Sequence, residues 1–205
     1  WLIRKTFKIK KIKVGHAGTL DPLATGLLII CTGKFTKRIE EFMGQEKEYT
    51  GTIVLGATTP SYDLETEIDQ TFSTEHLNDT FVKATTAQFT GAIQQQPPVF
   101  SALKKDGKRL YEFARAGEEV DIPSRTVEIS EFEITRIELP EVDFRVRCSK
   151  GTYIRSLAHD FGKALNSGGH LSALRRTKIG DFDVQDATSL ESFEAALKQA
   201  ETSNN

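Results

Sequence analysis

At 205 residues, with 38% hydrophobic and 27% charged content, the chain can bury one full core and has the balance of an ordinary globular protein. No apolar run approaches the ~20 residues of a membrane helix, and the longest, Leu27 to Cys31, is strand-sized. A net charge of −2 does not mark a nucleic-acid binder in bulk, and Cys31 and Cys148, far apart and without a CxxC partner, argue against a disulfide framework or zinc site.

The start, Trp1-Leu2-Ile3-Arg4-Lys5, lacks both a signal-peptide layout and an initiator Met. The chain is therefore expected to begin inside a longer protein, and its two distant cysteines fit a reducing cytoplasm. Charge is unevenly spread. Nine cations (Arg4, Lys5, Lys8, Lys10, Lys11, Lys13, Lys34, Lys37, Arg38) precede residue 39, with Asp21 the one acid among them. That is the layout of a solvated basic face, or of a carboxylate set in a phosphate-facing surface.

In chain order, Gly26 to Cys31 reads as a buried strand and Lys34 to Met43 as a short helix ending at Gly44. Tyr49 to Leu55 alternates as a strand. Thr74 to Phe89 carries Leu77, Phe81, Val82, Ala84 and Phe89 near helical spacing. Phe100 to Leu110 predicts a hairpin around Asp106-Gly107, followed by a helix over Arg109 to Ala116 closed by Gly117. Thr126 to Ile137 and Val142 to Cys148 alternate with period two, and Thr152 to Leu165 is a helix with Ile154, Leu157, Phe161 and Leu165 inside. Glu201 to Asn205 reads as a frayed tail. Strands come in runs with helices between, which predicts an α+β fold with a mixed, largely antiparallel sheet flanked by helices.

The densest punctuation is Gly15-His16-Ala17-Gly18-Thr19-Leu20-Asp21-Pro22-Leu23-Ala24-Thr25-Gly26, with three glycines and a proline in twelve residues. Such a loop folds tightly and fixes the direction of one side chain. Asp21-Pro22 alone would also suit a helix N-cap followed by proline at the first helical position.

The whole string closely resembles the active-site loop of the TruB family of pseudouridine synthases. Lys47-Glu48-Tyr49-Thr50-Gly51 is similar to that family's second motif, and Gln96 to Lys104 followed by Arg109-Leu110-Tyr111-Glu112 to its middle signature. Cys148-Ser149-Lys150-Gly151-Thr152-Tyr153-Ile154-Arg155-Ser156-Leu157 resembles the third catalytic motif, and Gly168 to Thr177 the pocket-closing segment. The likeness runs from about Lys13 to about Phe182, and its middle signature is closer to the stand-alone bacterial enzymes than to guide-RNA-dependent relatives. Two departures stand out. The family's opening Asp-Lys-Pro-x-Gly-x-Thr-Ser stretch has no match, and no residues remain for the small C-terminal RNA-binding domain of many relatives. Residues 1–205 are accordingly expected to be a single catalytic domain lacking its N-terminal strand.

The resemblance implies an isomerase that turns the T-loop uridine of tRNA, position 55, into pseudouridine after flipping the base, with no cofactor, no obligatory protein partner and no membrane. It implies Asp21 as the catalytic carboxylate, Arg155 as its partner, and Tyr49 against the target base as proton acceptor or relay. Tyr153 and Leu174 are implied to pack on the flipped base, His16 to fill the gap it leaves, and Lys37 to contact the RNA. A monomer is expected. A non-catalytic RNA-binding module on the same scaffold, or an anion nest at Gly15-His16-Ala17-Gly18, are weaker readings; the nest lacks a following Lys-Ser/Thr.

Overall fold

Alternation along the strands decides the architecture. In the strand Glu141–Cys148, Val142, Phe144, Val146 and Cys148 are each at most 1% exposed, while Asp143, Arg145 and Arg147 take the opposite face. A sheet with one apolar and one charged face must cover the first, and helices do so here. The computed structural model describes residues 3–4, 12–101, 103–105, 107–118 and 120–203.

The strands are β1 (Val14–Ala17), β2 (Thr25–Gly26), β3 (Ile29–Thr32), β4 (Lys47–Leu55), β5 (Ala57–Thr58), β6 (Gln70–Thr71), β7 (Gly91–Gln95), β8 (Lys104–Lys105), β9 (Lys108–Arg109), β10 (Arg125–Glu138), β11 (Glu141–Cys148), β12 (Gly169–Ile179) and β13 (Phe182–Asp183). The α-helices are α1 (Ile39–Gly44), α2 (Asp79–Thr85), α3 (Leu110–Ala116), α4 (Ile154–Ala164) and α5 (Leu190–Ser203). The main sheet runs β13-β12-β4-β11-β10-β7 with antiparallel neighbours, and β2 adds to β12 in parallel. The α+β, largely antiparallel expectation holds.

Helix α4 covers the apolar face, sending Leu157 and Phe161 into the cluster that holds Ile53, Ile129 and Phe144. Phe161 meets Phe132 and Phe89 edge-on. A Cβ on Gly162 would come within 2.3 Å of the Gly168 backbone, so glycine lets α4 lie directly on the entry to β12. That contact sets the height of the α4 N-terminus, where Arg155 sits, above the sheet.

Several sequence expectations need correction. The single buried strand over Gly26 to Cys31 is two, β2 and β3. Ile30 of β3 and Leu28 just before it are exposed; among the described residues β3 pairs only with β1, in a separate two-stranded ribbon. A 3-10 turn, Gly33–Arg38, replaces the first half of the helix expected from Lys34. The helix expected over Thr74 to Phe89 is only α2 plus a 3-10 turn. Asn78 caps it by accepting from the Phe81 N–H at 3.0 Å, and this fixes the start beyond Leu77. Glu201–Ser203 belong to α5 rather than to a tail; Asn204 and Asn205 lie outside the described residues. The β8–β9 hairpin and α3 are as expected, with Gly117 at φ 69; Asp106 falls outside the described residues.

Candidate active site

Pro22 shapes the loop that carries Asp21. The Ala24 N–H donates to the Asp21 carbonyl at 3.0 Å, closing a turn with proline at its second position, where a fixed φ suits. No helix starts there, so Asp21 is not a helix cap. Beyond the turn, Gly26 (φ 103) brings the chain against β12. A Cβ there would lie 2.2 Å from the Arg176 carbonyl oxygen, and only glycine tolerates both the angle and the approach.

Across the cleft, Arg155 grips Asp21 with two parallel hydrogen bonds. Its Nε donates to Oδ2 at 3.0 Å and its Nη2 to Oδ1 at 2.8 Å. The Asp21 side chain is 32% exposed and that of Arg155 only 3%. Arg155 directly follows Ile154 and falls outside the stripe of Ile154, Leu157 and Phe161 expected to lie inside. In the structure Ile154 to Ala158 are all buried, because the Asp21 loop and the Ser61–Glu65 segment close over the helix end. Nη1 donates to the Ser61 carbonyl at 3.2 Å, and Asp63, 4% exposed, stands 3.6 Å from Nε. One guanidinium thus meets the partly exposed Asp21, the buried Asp63 and, 4.0 Å from Nη1, the Glu65 carboxylate.

Tyr49 lies on β4 directly opposite Arg176 of β12, so the two side chains share a face of the sheet. Burial pushes the phenol pKa up, and the Arg176 guanidinium against it pulls in the other direction. Tyr153 precedes α4 and is clamped by Gln95, which donates to its carbonyl at 3.0 Å and accepts from its N–H at 2.8 Å. The Arg125 guanidinium stands 4.8 Å over its ring.

Asp21, Tyr49, Tyr153, Arg155, Leu174 and Arg176 line one cleft of about 570 Å³. That is room for a nucleotide-sized group, small-molecule sites spanning roughly 300–1,000 Å³. Five of the residues singled out in the sequence therefore converge. His16 and Lys37 do not line this cleft; His16 is exposed on β1 opposite Ile30, and Lys37 is exposed on the turn before α1. Lys13 is exposed as well, while Lys10 and Lys11 lie outside the described residues.

Sequence reasoning missed Asp63, Lys47 and Arg176 as components of the site. Arg176 sits in the segment Leu174-Arg175-Arg176-Thr177, where it reads as surface charge, yet it is 2% exposed. Lys47 is 7% exposed and donates to the Met43 and Gln45 carbonyls at the end of α1. For these two the available signal was position, since Lys47 lies two residues before Tyr49 and Arg176 two after Leu174. Cys148, at the end of β11, is no nucleophile, since burial pushes its thiol up to about 12.

A carboxylate on a tight turn, held by a buried arginine over a nucleotide-sized cleft, also has counterparts in known proteins. Over residues 4–154 the chain matches the model described as TruB family pseudouridylate synthase (N terminal domain), and over residues 155–205 that of the tRNA pseudouridylate synthase B C-terminal domain. It is 69% identical over 197 residues to a tRNA pseudouridine synthase B of Flavobacterium johnsoniae, covering 96% of this chain and 86% of that one. A tRNA pseudouridine synthase B of Phocaeicola vulgatus is 59% identical over 193 residues, with 94% and 82% covered.

Among solved structures, a Cbf5–Nop10–Gar1 complex contains a chain that superposes with a TM-score of 0.74 at 28% identity, covering 99% of this chain. An H/ACA RNP bound to a substrate RNA containing 2'-deoxyuridine gives 0.71 at 25% identity, also covering 99%. This chain spans about half of each of those two chains, 51% and 50%. Fold and relatives define the class: the protein is a pseudouridine synthase, an isomerase that rearranges uridine in RNA. The chain belongs to the TruB family.

Proposed function

We propose that this chain isomerises the T-loop uridine of tRNA at position 55, with Asp21 as the carboxylate that acts on the ribose. The observation that carries the reading is the bidentate Arg155–Asp21 pair at the mouth of the cleft. The reaction breaks the N1–C1′ bond, turns the base and joins C5 to C1′. A carboxylate held in one orientation serves either route to this outcome, by attacking C1′ or by stabilising and deprotonating the sugar as the glycosidic bond opens. No electrons are gained or lost, so the chain's own residues suffice and no cofactor is invoked.

A uridine stacked in a loop reaches Asp21 only if it is flipped out. Leu174 and Tyr153 line the same cleft as Tyr49 and Arg155 and suit the faces of an extruded base. Tyr49 faces C5 and takes the proton that must leave it. His16, exposed on the β1–β3 ribbon, suits the space vacated in the RNA, and Lys37 and Lys13 suit its phosphates. The boundary between the two matched segments falls inside α4, and both sides build one sheet and one core. That favours residues 1–205 acting as a single catalytic unit, and we place it in the cytoplasm as a monomer without an obligatory protein partner. Among the described residues no helix is long and apolar enough to cross a membrane.

Incubation with an unmodified tRNA transcript, followed by mapping of pseudouridine at nucleotide resolution, tests this. Product confined to the T-loop uridine is expected. Product at another site alone would overturn the substrate assignment while leaving the family intact.

A further inference from the structure

Arg176 is the bulkiest wholly buried side chain among the described residues. A buried guanidinium is costly unless its charge is answered, and most such groups find a carboxylate. Among the described residues Arg176 has none within ion-pair distance. Its donors go to neutral oxygens instead: Nε to the Leu27 carbonyl at 2.8 Å and Nη2 to the Gly18 carbonyl at 3.2 Å. Lys47, nearby, is likewise answered among the described residues only by carbonyls. The floor of the cleft therefore holds two buried cations with no counter-ion among the described residues, beside an Arg155 whose charge is met by Asp21, Asp63 and, at 4.0 Å, Glu65.

The points Arg176 touches say what the charge is for. Gly18 and Leu27 flank the Asp21 loop on its two sides, so one side chain ties both ends of that loop to β12. The backbone does the same: the Arg176 carbonyl accepts from the Leu27 N–H at 2.8 Å. The third neighbour is Tyr49, directly across the strand pair. Between Arg176 and Lys178 the register shifts by a bulge, a device that re-aims side chains beside active sites. A plain staple for the loop would not need an unneutralised charge next to a phenol.

We propose that Arg176 is a positioning residue of the isomerisation, fixing the Asp21 loop on β12 and supporting the Tyr49 oxygen as it receives the C5 proton. The proposal rests on Tyr49 being the group that faces C5. In that step the C5–H bond breaks and its electron pair forms C5=C6, while the C6=N1 pair withdraws to N1. The Tyr49 hydroxyl first gives its own proton to water, the resulting phenolate takes the C5 proton, and N1 takes a proton from water, so nothing is oxidised or reduced. A fixed cation beside that oxygen stabilises the negative charge it carries during the exchange.

The test compares single-turnover rates on transcripts bearing uridine or 5-deuterouridine at the target. Arg176→Gln is expected to lower the rate at least ~10-fold and to enlarge the deuterium isotope effect above that of the wild type, because C5 deprotonation becomes more limiting. Arg176→Lys, which keeps a cation there, should recover part of both changes; melting curves confirm that each variant is folded. Should Arg176→Gln not fold, the two measurements on Arg176→Lys decide. A slower rate with an unaltered isotope effect marks a purely structural clamp and overturns the proposal. Tyr49→Phe separates this from the reading beneath it. Wild-type behaviour of Tyr49→Phe would remove the role of Tyr49 and the proposal together. A slow Tyr49→Phe beside an unaltered isotope effect in the Arg176 variants would remove the proposal alone.

Discussion

Arg145 and Arg155 each bond to several carboxylates and live in different electrostatic worlds. Arg145 projects from the solvent face of β11, its side chain 30% exposed, and reaches Glu131, Glu133 and Glu48. Its charge is held by these acids, which push its pKa further up, but water screens every pair. Arg155 is 3% exposed and meets Asp21, Asp63 and the Ser61 carbonyl. There the guanidinium and Asp63 are out of water while Asp21 stays partly exposed, so removing a carboxylate leaves a buried cation less fully answered. Arg176 completes the series, buried and, among the described residues, with no acid in reach. Burial and unanswered charge, rather than the abundance of ion pairs, mark the side of the sheet where chemistry belongs.

Substitutions should separate the two faces widely. Arg155→Lys keeps the charge but loses the planar fork, and it is expected to slow single-turnover conversion at least ~10-fold, about 1.4 kcal/mol of transition-state stabilisation. Because the site is buried, stability should fall too, in contrast to what an exposed arginine would show; thermal melts read this in parallel. A wild-type rate for folded Arg155→Lys would reduce the pair to a structural contact. Exposed cations on the RNA side come next. Neutralising Lys13 and Lys37 together should weaken binding to target and non-target RNA alike, and should flatten the slope of log affinity against log salt by roughly 0.7–0.9 for each phosphate no longer neutralised. A change in sequence discrimination at an unaltered salt slope would contradict a phosphate role. Smallest of all, Arg145→Gln should leave turnover unchanged and alter unfolding free energy by less than about 1 kcal/mol in denaturant titration. A large loss there would erase the distinction between the faces.

The same contrast explains what could be read beforehand. Strands β10 and β11 were legible because Val127, Ile129, Phe144 and Val146 alternate with polar residues and obey a period of two. Strand β12 was hidden by its own function. Bulges at Ser172 and Thr177 break its alternation, and a buried Arg176 occupies a position where the pattern expects an apolar side chain. In α5, Leu190, Phe193 and Leu197 recur at helical spacing, so that helix is legible in the sequence. The Asp21 loop and the helix bearing Arg155 were both recognisable, and their meeting came from the resemblance rather than from either segment. Asp63 had no local signal. It lies in the irregular stretch between β5 and β6, and only the fold carries it to Arg155.

The central claim is that the Asp21 carboxylate, not the cleft as a whole, performs the chemistry. Asp21→Asn keeps the shape and size of the side chain, and Arg155 retains Asp63 and the Ser61 carbonyl, so the fold should survive. Site-resolved pseudouridine mapping after single turnover, with excess enzyme and matched RNA binding, is the direct measurement. Asp21→Asn should bind the transcript like the wild type and form product at least ~10³-fold more slowly, about 4 kcal/mol. Product at a wild-type rate from a folded, RNA-bound Asp21→Asn protein would contradict the account.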